Sequence, residues 1–212
     1  MVKNILKNLI YGFLAGIMIS IGCAVYLACQ NKYVGAVMFS VALLTICYKG
    51  YNLYTGRIGF MVNAHSKEDF SGLLLGLLGN TLAMMAFGAM IGYALPNLQE
   101  TAVNVVSAKL SQTFLSALIR AIFCGILMYI AVSLYREKKT VLGIVFCIPV
   151  FILSGFEHSI ADMGYFAVAG EWSLKGFGYI WTIILGNSVG AMLFPALKLI
   201  PNLAGKEKGS ED

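Results

Sequence analysis

Ser154-Gly155-Phe156-Glu157-His158-Ser159, with Asp162 a turn further on, interrupts an apolar run that extends from about residue 140 to residue 169. Such a run reads as a membrane span, but an ionised group at mid-bilayer costs about 2.5–3.5 kcal/mol on insertion scales. Glycine and polar residues at that depth predict a broken helix that lines a cavity, because freed backbone groups cannot be left facing lipid. Lys49-Gly50-Tyr51-Asn52-Leu53-Tyr54-Thr55-Gly56 repeats the pattern inside the apolar run from about 34 to 62.

Working outward from these breaks, the remaining apolar runs lie near residues 9–29, 71–95, 104–135 and 175–200. The chain is therefore expected to be an all-α membrane protein with six transmembrane helices, the second and fifth broken by loops. Expected connections include Gln30 to Lys32, His65 to Asp69, Pro96 to Glu100, Arg136 to Lys139 and Gly170 to Trp172. The breaks occupy matching places, second of three spans and then second of three again. Leu78-Gly79-Asn80-Thr81 and Leu185-Gly186-Asn187-Ser188 add a second match in the third and sixth spans. Three spans reverse the next copy, so the chain reads as two inverted three-helix repeats whose broken helices meet near the midplane around a solute.

Composition agrees. Residues of the AVILMFWYC set make up 59% of the 212 positions and charged residues 12%, against about 45–50% and 25% in soluble domains. One membrane domain, 1–201, is expected, followed by a polar cytoplasmic tail, 202–212. The N-terminal apolar run continues to about Cys29 without a clear cleavage site, so it is expected to be retained as a span. The net charge of +5 is not a nucleic-acid signature, since the basic residues sit at segment ends and form no aromatic-interleaved stripe. They act as topology signals. Lys3, Lys7, Arg57, Lys67, Arg136, Lys138, Lys139, Lys198, Lys206 and Lys208 fall on the side shared by both termini, and only Lys32, Lys109 and Lys175 on the other. Positive charge favours the cytoplasmic face, which predicts a multi-pass protein of the cell inner (plasma) membrane with both termini cytoplasmic. Cys23, Cys29, Cys47, Cys124 and Cys147 form no CxxC pair and read as buried hydrophobes. No metal or cofactor is implied.

His158 is the histidine placed inside the membrane, flanked by Glu157 and Asp162. A helical offset of about 100° between neighbours turns Glu157 toward anchoring the loop while His158 faces the pathway. The bland reading is a structural hydrogen-bond cluster at the break. The functional one is proton exchange, for which a reference pKa of about 6.5 suits histidine. Lys109 reads either as an interfacial snorkelling lysine or as a functional cation, and Arg120 is placed to pair with an acid or a lipid head group. Lys49 reads as a residue of the break.

Ser154 to Met163 resembles the GFEHSxANM loop of the formate/nitrite transporter family. Leu53-Tyr54-Thr55-Gly56 is similar to its LFTG loop, the two Gly-Asn pairs recur at its third and sixth spans, and Lys109 through Val132 resembles its fourth-span pattern. The resemblance implies an aquaporin-like protomer, assembled as a homopentamer with one pore in each. It further implies His158 as the central pore histidine, Thr55 as its hydrogen-bonding threonine and Lys109 as the vestibule cation that concentrates anions. Phe39, Leu43, Leu53 and Phe151 fall on apolar constriction positions, which exclude bare ions. Asn52, Tyr54, Gly125 and Asp162 depart from the family pattern, which usually has an acid, phenylalanine, asparagine and asparagine there.

The reading reached is a proton-linked channel or transporter for small monovalent weak-acid anions, formate or nitrite by default, with membrane lipid as its surroundings. Hydrosulfide or a short carboxylate such as lactate is the close alternative. An aquaglyceroporin-like channel for neutral solutes is more distant, because paired Asn-Pro-Ala loops are missing. An intramembrane enzyme would need a nucleophile and base or a metal constellation, and the sequence shows no HExxH helix or serine triad.

Overall fold

The computed structural model describes residues 2–63 and 66–199. The expected tail 202–212, the domain boundary at 201 and His65 lie outside the described residues. The chain is helical throughout that range: α1 Val2–Ala28, α2 Lys32–Lys49, α3 Tyr54–Arg57 with a 3-10 turn Ile58–Asn63, α4 Lys67–Ala94, α5 Pro96–Leu110, α6 Phe114–Lys138, α7 Leu142–Leu153, α8 Ser159–Ala169 and α9 Leu174–Lys198. Five of these, α1, α2, α4, α6 and α9, are long and apolar enough to cross a bilayer. Large apolar side chains stay exposed along their outer faces, among them Val34, Val37, Met38 and Val41 on α2 and Leu74, Leu78, Leu82 and Met85 on α4. Stripes of that size would be an association hazard in water; against lipid they match their solvent.

The predicted fifth span is two helices. α7 has 12 residues and α8 has 11, about 18 and 17 Å of helix at 1.5 Å per residue, so neither alone covers a hydrocarbon core of about 30 Å. The second span is likewise divided between α2 and α3.

Both breaks are made in the same way. α2 ends on Gly50 in the left-handed conformation, φ 67°, and the α7 end turns at Gly155, φ 69°. A side chain is strained there and glycine is not. Tyr51 N–H donates to Ile46 O at 3.0 Å and Phe156 N–H to Phe151 O at 2.9 Å, the 6→1 bond of a Schellman turn. Two residues of extended chain follow, and the next helix starts.

The extended residues would carry unpaired backbone groups in a water-poor interior. Each break is satisfied by one buried asparagine from the following long helix. Asn80 of α4 donates to Asn52 O at 2.9 Å and Gly12 O at 2.7 Å and accepts from Tyr54 N–H at 2.9 Å. Asn187 of α9 donates to Glu157 O and Ala121 O, both at 2.8 Å, and accepts from Ser159 N–H at 2.8 Å. The Gly-Asn pairs that mark the sequence repeat are therefore the clamps on the two breaks. The Asn52 and Glu157 N–H groups complete the symmetry by donating to Tyr11 O at 3.1 Å and Arg120 O at 3.4 Å.

One expected boundary is wrong. The run 104–135 is not one span, and Pro96 to Glu100 is not a connection: Pro96 opens α5, a separate helix that is too short and too polar to cross. Proline is favoured at the first helical position, where its missing N–H has no partner to lose. Ser111 to Thr113 then break the chain, and Thr113 caps α6 by accepting from Ser116 N–H at 3.3 Å.

α1 packs along α4 and α6 along α9, and glycine sets how close the backbones come. A Cβ on Gly186 would lie 2.8 Å from Leu118 O, and one on Gly190 would run into the Ile122 carbonyl. Small residues at such interfaces let helices gain dispersion contact in lipid. Gly186→Val is expected to lower stability by about 1–3 kcal/mol through overpacking, whereas Gly178→Ala, with nothing within 4 Å of the new Cβ, leaves it unchanged or higher. Thermal unfolding in detergent distinguishes them, and equal melting of the two variants would contradict this account of the helix contact.

Candidate functional site

The two breaks bring Thr55 and His158 together, although they lie on different repeats. Thr55 sits in the first turn of α3 and His158 is the N-cap of α8, and their side chains hydrogen-bond at 2.8 Å, Oγ1 to Nε2. Both are buried, at 1% and 2% exposure. His158 is extended, φ −113° and ψ 111°, and its Nδ1 accepts the Ala161 N–H at 3.0 Å. An acceptor nitrogen carries no proton, so the ring is the neutral tautomer with its proton on Nε2, donated to Thr55. Phe151 stacks on the ring at 5.6 Å between centroids and 17° between planes. The sequence reading of His158 as a proton-exchanging pore residue thus meets a structural constraint, because a proton on Nδ1 would face the Ala161 N–H.

Two cavities flank this contact. The first, about 260 Å³, is lined by Phe39, Phe151 and His158 together with Lys109, Glu157 and Asp162. The second, about 330 Å³, is lined by Leu43, Leu53 and Asn52 together with Arg57 and Arg136. Phe39 and Leu43, one turn apart on α2, therefore look into different cavities. Between the cavities the chain is closed by Leu53, Thr55 and His158, all nearly inaccessible.

Lys109 is placed by the last turn of α5, which packs on α8. Its ammonium pairs with Glu157 and with Asp162 Oδ1, the latter at 2.8 Å, and the Gln112 amide donates to Glu157 Oε1 at 2.7 Å. The Lys109 side chain is 14% exposed and the carboxylates 4% and 2%. The lysine that the resemblance puts at the vestibule is shared by two acids. Contacts so distant in sequence leave no trace in local spacing, and Gln112, which completes the set, carried no signal beyond standing three residues after Lys109. Glu157 does anchor the loop as expected, yet it lines the same cavity as His158.

Other expected residues have different surroundings. Arg120 pairs with no acid among the described residues; its Nη1 donates to Gly155 O at 3.1 Å and so supports the break. Lys49 is the last residue of α2, just before the turn. Tyr54 lines neither cavity, and its hydroxyl bonds Ser188 Oγ at 2.8 Å. Gly125 lines neither cavity and packs against the Asn187 carbonyl, a helix contact. Asn52 does line the second cavity, with its amide held 2.9 Å from Asn8 Oδ1. Arg57 was read only as a topology charge, but it lines that cavity beside Arg136, whose guanidinium lies 4.1 Å above the Phe60 ring. The five cysteines are free, and no metal-binding cluster occurs among the described residues.

Removing the shared cation should leave the buried acids without their counter-ion. Lys109→Met is expected to cost about 3–5 kcal/mol, the scale for breaking a buried ion pair from one side, with Lys109→Arg losing less. Unfolding midpoints in detergent measure this; a Lys109→Met protein as stable as wild type would mean that the acids do not depend on the lysine.

Residues 1–200 match the model of the formate/nitrite transporter family. Among curated relatives, the uncharacterized transporter YrhG of Bacillus subtilis is 28% identical, with 89% of this chain and 82% of its own length aligned. The nitrite transporter NirC of Escherichia coli is 27% identical over 75% of this chain and 67% of its own. A probable formate transporter of Methanothermobacter thermautotrophicus is 28% identical over 90% of this chain and 86% of its own. A solved pentameric formate channel with formate bound shares the fold, with a TM-score of 0.79 and 21% identity over 96% of this chain and 99% of that one.

Proposed function

Because this chain belongs to the formate/nitrite transporter family, we propose that it moves small monovalent weak-acid anions, of the formate or nitrite type, across the membrane together with a proton. It is a multi-pass membrane protein and an anion channel or transporter by family; the choice of anion and the proton are our reading. The observation that carries it is the Thr55–His158 contact between two polar-lined cavities. A small solute can enter either cavity, but the closure between them is built from Leu53, Thr55 and His158 with Phe39, Leu43 and Phe151 around it.

That composition opposes a bare ion. An anion leaving either cavity would surrender its water to apolar walls, with one imidazole N–H and one hydroxyl as compensation, and desolvating an unpaired charge costs far more than one hydrogen bond returns. A weak acid avoids this by crossing as the neutral molecule and regaining its charge beyond. Cations line both cavities, Lys109 and Arg120 in the first and Arg57 and Arg136 in the second. Lys109 is balanced by acids, so it orders the cavity and adds little net attraction by itself.

The assembly is taken to be a homopentamer with a pathway in each protomer, supported by the fold shared with a pentameric channel. The second cavity faces the cytoplasm in this reading. Its arginines lie with the basic ends of α3, α6 and α9, on the side that the distribution of lysine and arginine assigns to the inner (plasma) membrane's cytoplasmic face.

Reconstitution into liposomes tests this. Formate and nitrite uptake is expected to exceed glycerol uptake, with hydrosulfide and lactate as competitors that rank the substrates. His158→Ala removes a hydrogen-bonded, stacked group and should change anion uptake by about tenfold, the equivalent of about 1.4 kcal/mol. Glycerol flux above anion flux, unaffected by His158→Ala, would replace the anion reading with a neutral-solute channel.

A further inference from the structure

We propose that the proton accompanying the anion is held by Asp162, on its Oδ2 oxygen, and that His158 is not its carrier. The proposal rests on the reading that a weak-acid anion and a proton cross together. It begins with the histidine. Both ring nitrogens are engaged, Nδ1 by the Ala161 N–H at 3.0 Å and Nε2 by Thr55 at 2.8 Å. An imidazolium has an N–H on each nitrogen, so charging the ring sets two donors against each other and gives up the cap of α8. With Phe151 stacked on one face, the ring also has little freedom to turn its nitrogens elsewhere.

Asp162 is different. It is 1% exposed and lines the first cavity. Oδ1 takes the Lys109 ammonium at 2.8 Å, whereas Oδ2 is buried without a hydrogen-bond partner among the described residues. Buried polar atoms are paired in the great majority of cases, and an exception calls for an explanation. A proton on Oδ2 removes the cost of an unpaired buried charge there, and the O–H can donate into the cavity that Asp162 lines.

The charge count points the same way. Around Asp162 stand Lys109 from α5, Glu157 and His158 from the loop, Cys23 and Tyr26 from α1, Arg120 and Cys124 from α6, Tyr165 from α8 itself and Tyr179 from α9. Tyrosine and cysteine are uncharged at neutral pH by their reference values of about 10 and 8.5, and His158 is neutral by its bonds. Arg120 stays a cation, but it is exposed, donates to the Gly155 carbonyl and pairs with neither acid, so solvent screens it from the buried cluster. Two carboxyl groups thus share one ammonium, and Glu157 has the fuller set of donors, Lys109 and Gln112. One proton on the pair, placed on the oxygen that lacks a donor, balances the cluster.

The transfer is simple. The O–H bond at Asp162 Oδ2 breaks, an O–H bond forms on an oxygen of the anion in the first cavity, and Asp162 is left as a carboxylate beside Lys109. The neutral acid passes His158 and Thr55, and Asp162 takes a new proton from water entering the cavity. An asparagine at this position keeps the size and an oxygen for Lys109 but has no proton to give.

The test uses the full chain in liposomes with an internal pH indicator and formate as the probe, comparing wild type, Asp162→Asn and His158→Asn. Asp162→Asn is expected to lose most of the protons that enter with formate. His158→Asn, whose amide oxygen can still cap α8, is expected to keep the ratio of protons to formate although total flux falls. A retained ratio in Asp162→Asn, or a lost ratio in His158→Asn, overturns the proposal. Formate uptake by wild type without protons overturns the proton reading on which it rests, and this proposal with it. Infrared spectroscopy gives a readout independent of flux and, for wild type, of the variants' folding. A protonated-carboxyl band is expected in wild type at neutral pH and should be missing from Asp162→Asn; its absence from wild type overturns the assignment.

Discussion

Two side-chain amides hold the interior of this protein in place. A helix broken at membrane depth leaves carbonyls and N–H groups that neither lipid nor a dry core can satisfy. Asn80 and Asn187 resolve this at the two breaks, each binding the chain on both sides of the extended residues and a carbonyl of a third helix. Both are fully buried. Each clamp reaches its loop because glycines let α4 approach α1 and α9 approach α6, so helix packing and loop geometry are one constraint. Everything at the centre, including the Thr55–His158 contact, follows from where those amides fix the backbone.

The two halves share that frame and differ in what they mount on it. Leu53 and His158 occupy the same place, the N-cap after the break, yet α3 has no side-chain cap and α8 has the imidazole. Asn52 and Glu157 are likewise matched, one bonded to Asn8 and the other drawn to Lys109 and Gln112. One half therefore supplies an apolar stop and the other a polar, ionic wall. A member of the formate/nitrite transporter family thus carries its lysine–acid cluster on one side of the closure and, on the other, Arg57 and Arg136, which make no ion pair among the described residues.

Much of this was legible in the residues. Glycine with polar neighbours inside two long apolar runs located both breaks, because no other arrangement tolerates those residues in lipid. The repeated Gly-Asn pair exposed the internal symmetry, though not its purpose: that an asparagine clamps a loop depends on partners as far off as Ala121, which spacing cannot reveal. The α5 helix was lost in the reading because its apolar residues merge with those of α6, and only Ser111 to Thr113 divide them. The Lys109 cluster was half visible. A lysine, two acids and a histidine could each be named, but that α5 folds back onto α8 and gives one ammonium to both acids is a tertiary fact.

The clamps have one more consequence. Asn80 and Asn187 bond the breaks through backbone atoms, the carbonyls of residues 52 and 157 and the N–H groups of residues 54 and 159. The clamps themselves do not involve the side chains at positions 52, 53, 157 and 158, although His158 caps α8 and Glu157 binds Lys109 and Gln112. A side chain exchanged at one of these positions leaves the atoms that the clamp binds in place. Asn52 stands at such a position: the backbone is the fixture, and the side chain that faces the second cavity is mounted on it.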